Sequence, residues 1–231
     1  MDDMARSTAA QEDKPSAAET TAPVQRRDAV RTRARILKCA TEVFSEKGYD
    51  GARVDEIARR AGVSGTLLYH YFGSKDGLFV AVMEEAFLVV RGSHRDSDIA
   101  RLPPEEAIST LTLSIFNLFQ RHPEFVNLLN SENLHKARHI ARSTTIRGLY
   151  RPLLGTLGKI VARGRAEGLF KRDVDLSDFF ISITAVVYFY IANRSTLSVV
   201  MDEDLFDPAR VQRRANHVVD LVLSYLRTPA D

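Results

Sequence analysis

The sequence predicts an all-α protein, on three observations. Apolar residues recur at helical spacing through most of the chain beyond residue 28. Glycine, proline and capping residues fall between those runs, where helices should stop and start. The stretch RVDEIARRAGVSGTLLYHYFGSKDGL, Arg53 to Leu78, compresses both signals into two short helices, a tight turn between them and a third helix beginning at once.

Residues 1–27 carry Ala, Ser, Thr, Asp and Glu without one aromatic side chain. Such a segment cannot bury enough surface to offset the entropy of ordering it, so a disordered tail is expected. Arg26, Arg27, Arg31, Arg33 and Arg35 read either as a basic arm that reaches a nucleic-acid backbone or as a solvated patch on the first helix. That helix, over about Asp28 to Lys47, places Ile36, Leu37, Ala40, Val43 and Phe44 at helical spacing, and Gly48 stops it. The lone cysteine, Cys39, lies inside this periodicity and reads as a buried thiol. A second helix is expected over about Val54 to Arg60 and a third over Ser64 to Tyr71. A fourth starts after Ser74 and runs to about Arg91, long enough to leave the N-terminal unit and act as a lever.

A polar break, RGSHRDSDIARLPP, comes next, and Pro103-Pro104 with Glu105 and Glu106 marks a helix start. Leu111, Ile115, Phe116 and Phe119 belong to that helix, which Pro123 interrupts; Phe125, Val126 and Leu128 belong to the one after. Phe116, Phe119 and Phe125 read as core. A long helix over about Tyr150 to Glu167 stops at Gly168. Asp175 reads as the N-cap of DLSDFFISITAVVYFYIANRS, apolar nearly all round from Phe179 to Ala192. Such a helix should be buried all round. Being too short to cross a bilayer, it should be covered by its own domain and by a second subunit. The last helix, about Asp207 to Leu226, has Val211, Ala215, Val218, Val222 and Leu226 on one stripe. These last two helices from each of two chains would make an intermolecular four-helix bundle, hence a homodimer.

Within Arg53–Leu78, Ile57, Ala58 and Ala61 form one apolar face, and Val63, Leu68 and Phe72 another. Gly62 can take the left-handed conformation that ends the first helix, and the Ser64 hydroxyl can cap the second. Helix, glycine turn, helix is the pattern whose second helix enters the major groove of double-stranded DNA. With Leu68 and Phe72 turned inward, Gly65, Thr66, Tyr69 and His70 face outward. A plain surface helix would carry Glu, Lys and Gln there. Tyr and His reach phosphates or base edges, and Gly and Thr permit close approach. Lys75 follows Ser74, a cap, so phosphate would meet a cation beside free N–H groups.

Composition narrows the rest. A net charge of +2 is too small to argue for nucleic acid, so the DNA reading rests on this local surface. One cysteine excludes an intrachain disulfide framework. No signal peptide or membrane span is expected, which makes the cytoplasm the expected compartment. Neither a glycine-rich phosphate loop nor a nucleophile elbow is present, no cofactor is implied, and an enzyme is not expected.

The run GVSGTLLYHYFGSKDGL, preceded by RTRARILKCATEVFSEKGYDGARVDEIARRA, resembles the DNA-binding domain of the TetR family of bacterial transcriptional regulators, from about Arg31 to Val89. The resemblance implies a homodimer of about nine helices per subunit with an effector pocket in the C-terminal domain. It places DNA contacts on Arg53, Gly65, Thr66, Tyr69, His70, Tyr71 and Lys75. Two positions depart from the family pattern. Arg53 stands where a Thr or Ser cap is usual, and Leu67 stands where a small or hydroxyl residue is frequent, so no phosphate contact is assigned to Leu67. The segments HPEFVNLLNSENLHKARHI and NRSTLS resemble TetR-type regulators of aromatic or heterocyclic acid breakdown, which implies a small aromatic carboxylate as effector.

Glu132, His135 and His139 lie at i, i+3 and i+7, one face of a helix, which is metal-ligand spacing. Three readings stand: metal ligands, which Arg138 beside them opposes; pocket lining, with Asn133, Arg138 and His139 holding a carboxylate; or a solvated or structurally hydrogen-bonded cluster. Tyr188 and Asn193 either face an effector or serve the end of their helix. The expected organisation is a tail (1–27), a three-helix helix-turn-helix DNA-binding domain with the start of the connecting helix (28–92), and a helical C-terminal effector-binding and dimerisation domain (93–231). Its function would be a transcriptional repressor released from a palindromic operator by a small molecule; the alternatives are a ligand-responsive activator of the same fold and a helical enzyme or carrier without DNA binding.

Overall fold

The computed structural model describes residues 17–92 and 96–229 and contains, among them, eleven α-helices and no strand. They are α1 (Ala17–Gly51), α2 (Val54–Ala61), α3 (Gly65–Phe72), α4 (Lys75–Gly92), α5 (Asp96–Ile99), α6 (Pro104–Arg121), α7 (Pro123–Leu134), α8 (Thr144–Leu149), α9 (Arg151–Ala166), α10 (Leu176–Met201) and α11 (Pro208–Arg227). The short α5 and α8 account for the excess over nine.

Local chemistry sets most boundaries. Inside α1, Gly48 leaves the helical region (φ 67°, ψ 177°), so the main helix stops there and a further turn follows. Gly62 is left-handed (φ 63°) and its N–H closes α2, after which Ser64 caps α3 by accepting the Leu67 N–H at 3.1 Å. Ser74 accepts the Gly77 N–H at 3.0 Å, and Asp175 and Asp207 cap α10 and α11 in the same way. Prolines open α6, α7 and α11 in their first turns.

Helices α1 to α3 and the first half of α4 pack around Ile36, Ala40, Phe44, Ile57, Leu68, Leu78 and Phe79, all fully buried. Helix α4 then continues toward the C-terminal body, where α6 and α9 to α11 enclose Ile108, Leu111, Phe116, Leu157, Val187 and Val218. Phe116, Phe119 and Phe125 are core residues, as expected. The end of α3 lies hard against α4: a Cβ on Gly77 would stand 2.1 Å from the Phe72 carbonyl oxygen.

Four expectations are corrected. Helix α1 reaches back to Ala17, so 17–27 of the expected disordered tail is helical; residues 1–16 lie outside the described residues. Alanine-rich sequence can join a helix that a neighbouring core already anchors. Cys39 is half-buried, packed against the core edge rather than inside it. Helix α10 continues through Asn193 and Arg194 to Met201, and its 26 residues are long and apolar enough, by length and composition, to cross a membrane. Nor is it buried all round. Phe179, Ile183, Val187, Tyr190 and Ile191 face inward, while Ile181, Phe189, Val199, Val200 and Met201 are exposed.

Candidate nucleic-acid interface and the joint beneath it

Leu68 anchors α3 with no exposure, and the rest of the helix turns outward from it. Thr66, Tyr69 and His70 are exposed; Gly65 and Tyr71 are half-buried. A Cβ on Gly65 would touch nothing within 4 Å, so its missing side chain serves no internal packing and leaves room for an approaching backbone. Phe72 closes the inner edge, with the Arg33 guanidinium 5.4 Å from its ring centre. Arg53 is exposed at the N-cap of α2 and makes no side-chain cap bond, as its departure from the family pattern implies. Asp55 and Glu56 supply negative charge to that helix start instead.

Lys75 lies at the start of α4 but is not a free cation. Its ammonium sits 4.6 Å from the centre of the Tyr49 ring and 3.5 Å from the Asp50 carbonyl oxygen. Burial lowers its pKa. The same tyrosine is a hub the sequence did not flag. Its N–H donates to the Ser131 hydroxyl at 2.9 Å, and its own hydroxyl donates to Asp76. Its ring packs on Phe79, His135 and His139, with the Arg138 guanidinium 5.2 Å away. Burial, then the bond to Asp76, pushes the Tyr49 hydroxyl up to about 12, while that hydrogen bond holds Asp76 below the usual carboxylate range.

The Glu132 cluster resolves differently from its spacing. Helix α7 ends at Leu134, and Lys136 and Ala137 both take positive φ (56° and 59°). The chain thus folds back, and His139 reaches Glu132 across a turn rather than along a helix face. One Glu132 oxygen accepts the His139 and Ile140 N–H groups at 2.8 and 2.9 Å; the other lies 2.6 Å from His139 Nδ1. Glu132 and His139 are each 1% exposed. Three donors satisfy a carboxylate that burial would otherwise penalise heavily, so its role is structural. The Arg138 Nε donates to His139 Nε2 at 3.3 Å, which the Nδ1–H tautomer allows.

None of the five residues expected to hold an effector lines the α10–α11 groove described below, and they stand on two elements, the α7 end with its turn and α10. Asn133 and Arg138 are exposed at the end of α7, and His139 is buried there. The half-buried Tyr188 donates from α10 to Asn130 on α7. Asn193 returns its amide to the Phe189 carbonyl of its own helix at 2.9 Å. A groove of about 380 Å³ between α10 and α11 holds Arg210, Arg214 and His217 opposite Phe189, Tyr190 and Met201. Burial lowers the Arg214 pKa, and its Nε is buried without a hydrogen-bond partner. Sequence reading missed this triplet because a basic helix face also reads as a solvated one.

The fold and the exposed α3 surface define a two-part helical protein with a helix-turn-helix unit ahead of a larger helical body. Residues 36–82 match the family described as bacterial regulatory proteins, tetR family, and residues 104–222 match the tetracyclin repressor-like C-terminal domain. The chain is 36% identical over 204 residues to the HTH-type transcriptional repressor NicS of Pseudomonas putida, covering 88% of this chain and 96% of that one. It belongs to the TetR family and is a DNA-binding transcriptional regulator. The fold is similar to that of the TetR family regulator PfmR from Thermus thermophilus (TM-score 0.59, 23% identity, 85% of this chain and 96% of that one). It is also similar to FadR from Bacillus subtilis, solved with stearoyl-CoA (TM-score 0.58, 20% identity, 83% and 98%).

Proposed function

We propose that the protein is a homodimeric cytoplasmic repressor without enzymatic activity, released from a palindromic operator by a small organic acid. The observation that carries the DNA part is the outward Thr66–Tyr69–His70 surface on a capped helix held by Leu68. Arg53, Gly65 and Tyr71 flank that surface, and Lys75 stands behind it. Each subunit would offer α3 to one half-site, with the two copies about 34–36 Å apart, one turn of B-DNA, or a multiple of it. The exposed apolar face of α10, with Leu221 and Tyr225 of α11, supports pairing through the last two helices. NicS, a repressor by name, supports the direction of regulation. An aromatic carboxylate is the effector class. Of the five residues in the set above, Arg138 is the one that brings a cation to a carboxylate; His139, Tyr188 and Asn193 already have internal partners.

Mobility shifts on the promoter DNA flanking its own gene test the reading. Wild-type protein should bind with steep salt dependence. The Tyr69→Ala/Lys75→Ala double variant should lose about 1–3 kcal/mol per contact while its thermal unfolding stays cooperative. Equal affinity of variant and wild type would remove these two residues from the interface. Benzoate and pyridine carboxylates, screened by thermal shift and then by DNA release, test the effector class.

A further inference from the structure

Besides the run of α4 from one unit into the other, a second connection joins the turn after α7 to the first turns of α4 and to Tyr49 near the end of α1. The turn after α7 is rigid, because Glu132 binds it at three points with both residues of its His139 pair buried. That turn meets the DNA-binding unit at two places. The His139 ring lies 4.5 Å from the Tyr49 ring and 4.8 Å from that of Phe79, and its Nε2 lies 3.8 Å from Asp76. Arg142 reaches the other Asp76 oxygen at 3.2 Å, and Ser143 donates to Glu84 at 2.6 Å. Tyr49 also carries Lys75, at the N-terminus of α4 and three residues beyond α3.

We propose that Tyr49 and Asp76, gripped by the Glu132–His139 turn, are positioning residues that set the angle of the helix-turn-helix unit against the C-terminal body. A displacement of α7 reaches Lys75 through Tyr49 in a single side-chain step. This rests on the regulator reading for its consequence but not for its geometry. Rigid packing of this sort has discrete arrangements rather than continuous play, so losing the grip should populate other angles.

Spin labels at Arg59→Cys and Arg121→Cys in a Cys39→Ser background, both exposed sites, report the angle within one chain. Dilution of labelled chains with unlabelled protein isolates the intrachain distance, and no DNA is needed. Tyr49→Phe removes only the hydroxyl bond to Asp76. Asp76→Asn weakens the approaches of Tyr49, His139 and Arg142 together, and Glu132→Gln loosens the turn itself. The expected result is a broadened or bimodal distance distribution for Asp76→Asn and Glu132→Gln, a smaller broadening for Tyr49→Phe, and operator binding weakened about tenfold in the first two. Lower melting temperatures with an unchanged distribution would overturn the proposal, since a merely structural role predicts that outcome. Should Glu132→Gln fail to fold, Tyr49→Phe and Asp76→Asn decide between the same two outcomes, because Asp76 is half-exposed and the tyrosine change removes a single hydroxyl. Broadening without any DNA binding by wild type would leave the joint standing and remove the regulator reading alone.

Discussion

Helices α3 and α10 both show aromatic side chains to solvent, in opposite company. On α3 the exposed ring is Tyr69, between Thr66 and His70, and apart from Leu67 the exposed side chains from Thr66 to His70 end in groups that hydrogen-bond. On α10 the exposed ring is Phe189, in line with Ile181 and, further on, Val200, none of which can hydrogen-bond. The first surface suits a charged, hydrated groove and the second a surface like itself. Eight residues suffice for α3 because Leu68 and two caps hold it, whereas α10 has a row of apolar side chains that its own chain leaves bare.

The sharpest way to break this contrast is to charge the apolar face. Phe189→Asp should abolish the dimer by light scattering at micromolar concentration, costing about 3–6 kcal/mol because twofold symmetry counts each ring twice. Operator binding should fall with it although no DNA contact has changed. A variant still dimeric would mean that α10 pairs through another stripe or not at all. A smaller effect tests how α3 is held. Ser64→Ala removes the cap on the Leu67 N–H and should cost about 1 kcal/mol, with the melting temperature down by about 2–4 °C. Its loss in operator affinity should be slight beside that of the Tyr69/Lys75 double variant.

The joint should show itself through pH. The Tyr49 hydroxyl is pushed up to about 12 from 10.0. Between those values the folded chain keeps a proton that the unfolded chain has lost, so this contribution is whole below pH 10 and fades as pH rises toward 12. Melting temperature followed across that window should fall less steeply for Tyr49→Phe than for wild type. Parallel curves would argue against the Asp76 bond as drawn.

What the sequence reveals here is what is local. Gly62, Ser64, Ser74 and Asp175 act within a turn of where they stand, so their roles follow from identity and spacing. Outwardness on α3 follows from Leu68 and Phe72 in the same way. The joint does not, since Tyr49 meets Ser131 across 82 residues of chain and no local period points there. His139 misleads for a related reason: helical spacing assumes the helix continues, and the left-handed pair Lys136–Ala137 ends it. Apolar pattern alone also cannot tell which side of α10 its own chain covers, and so the helix reads as buried throughout.

The contact between Gly77 and the Phe72 carbonyl has a mechanical consequence. No side chain, not even a methyl group, fits between the end of α3 and the first turn of α4, so there is no compliant material at that junction to absorb a tilt. Any swing of the longer helix is delivered whole to the shorter one, and a stiff coupling of this kind turns a small rotation in the body into a misalignment with the duplex.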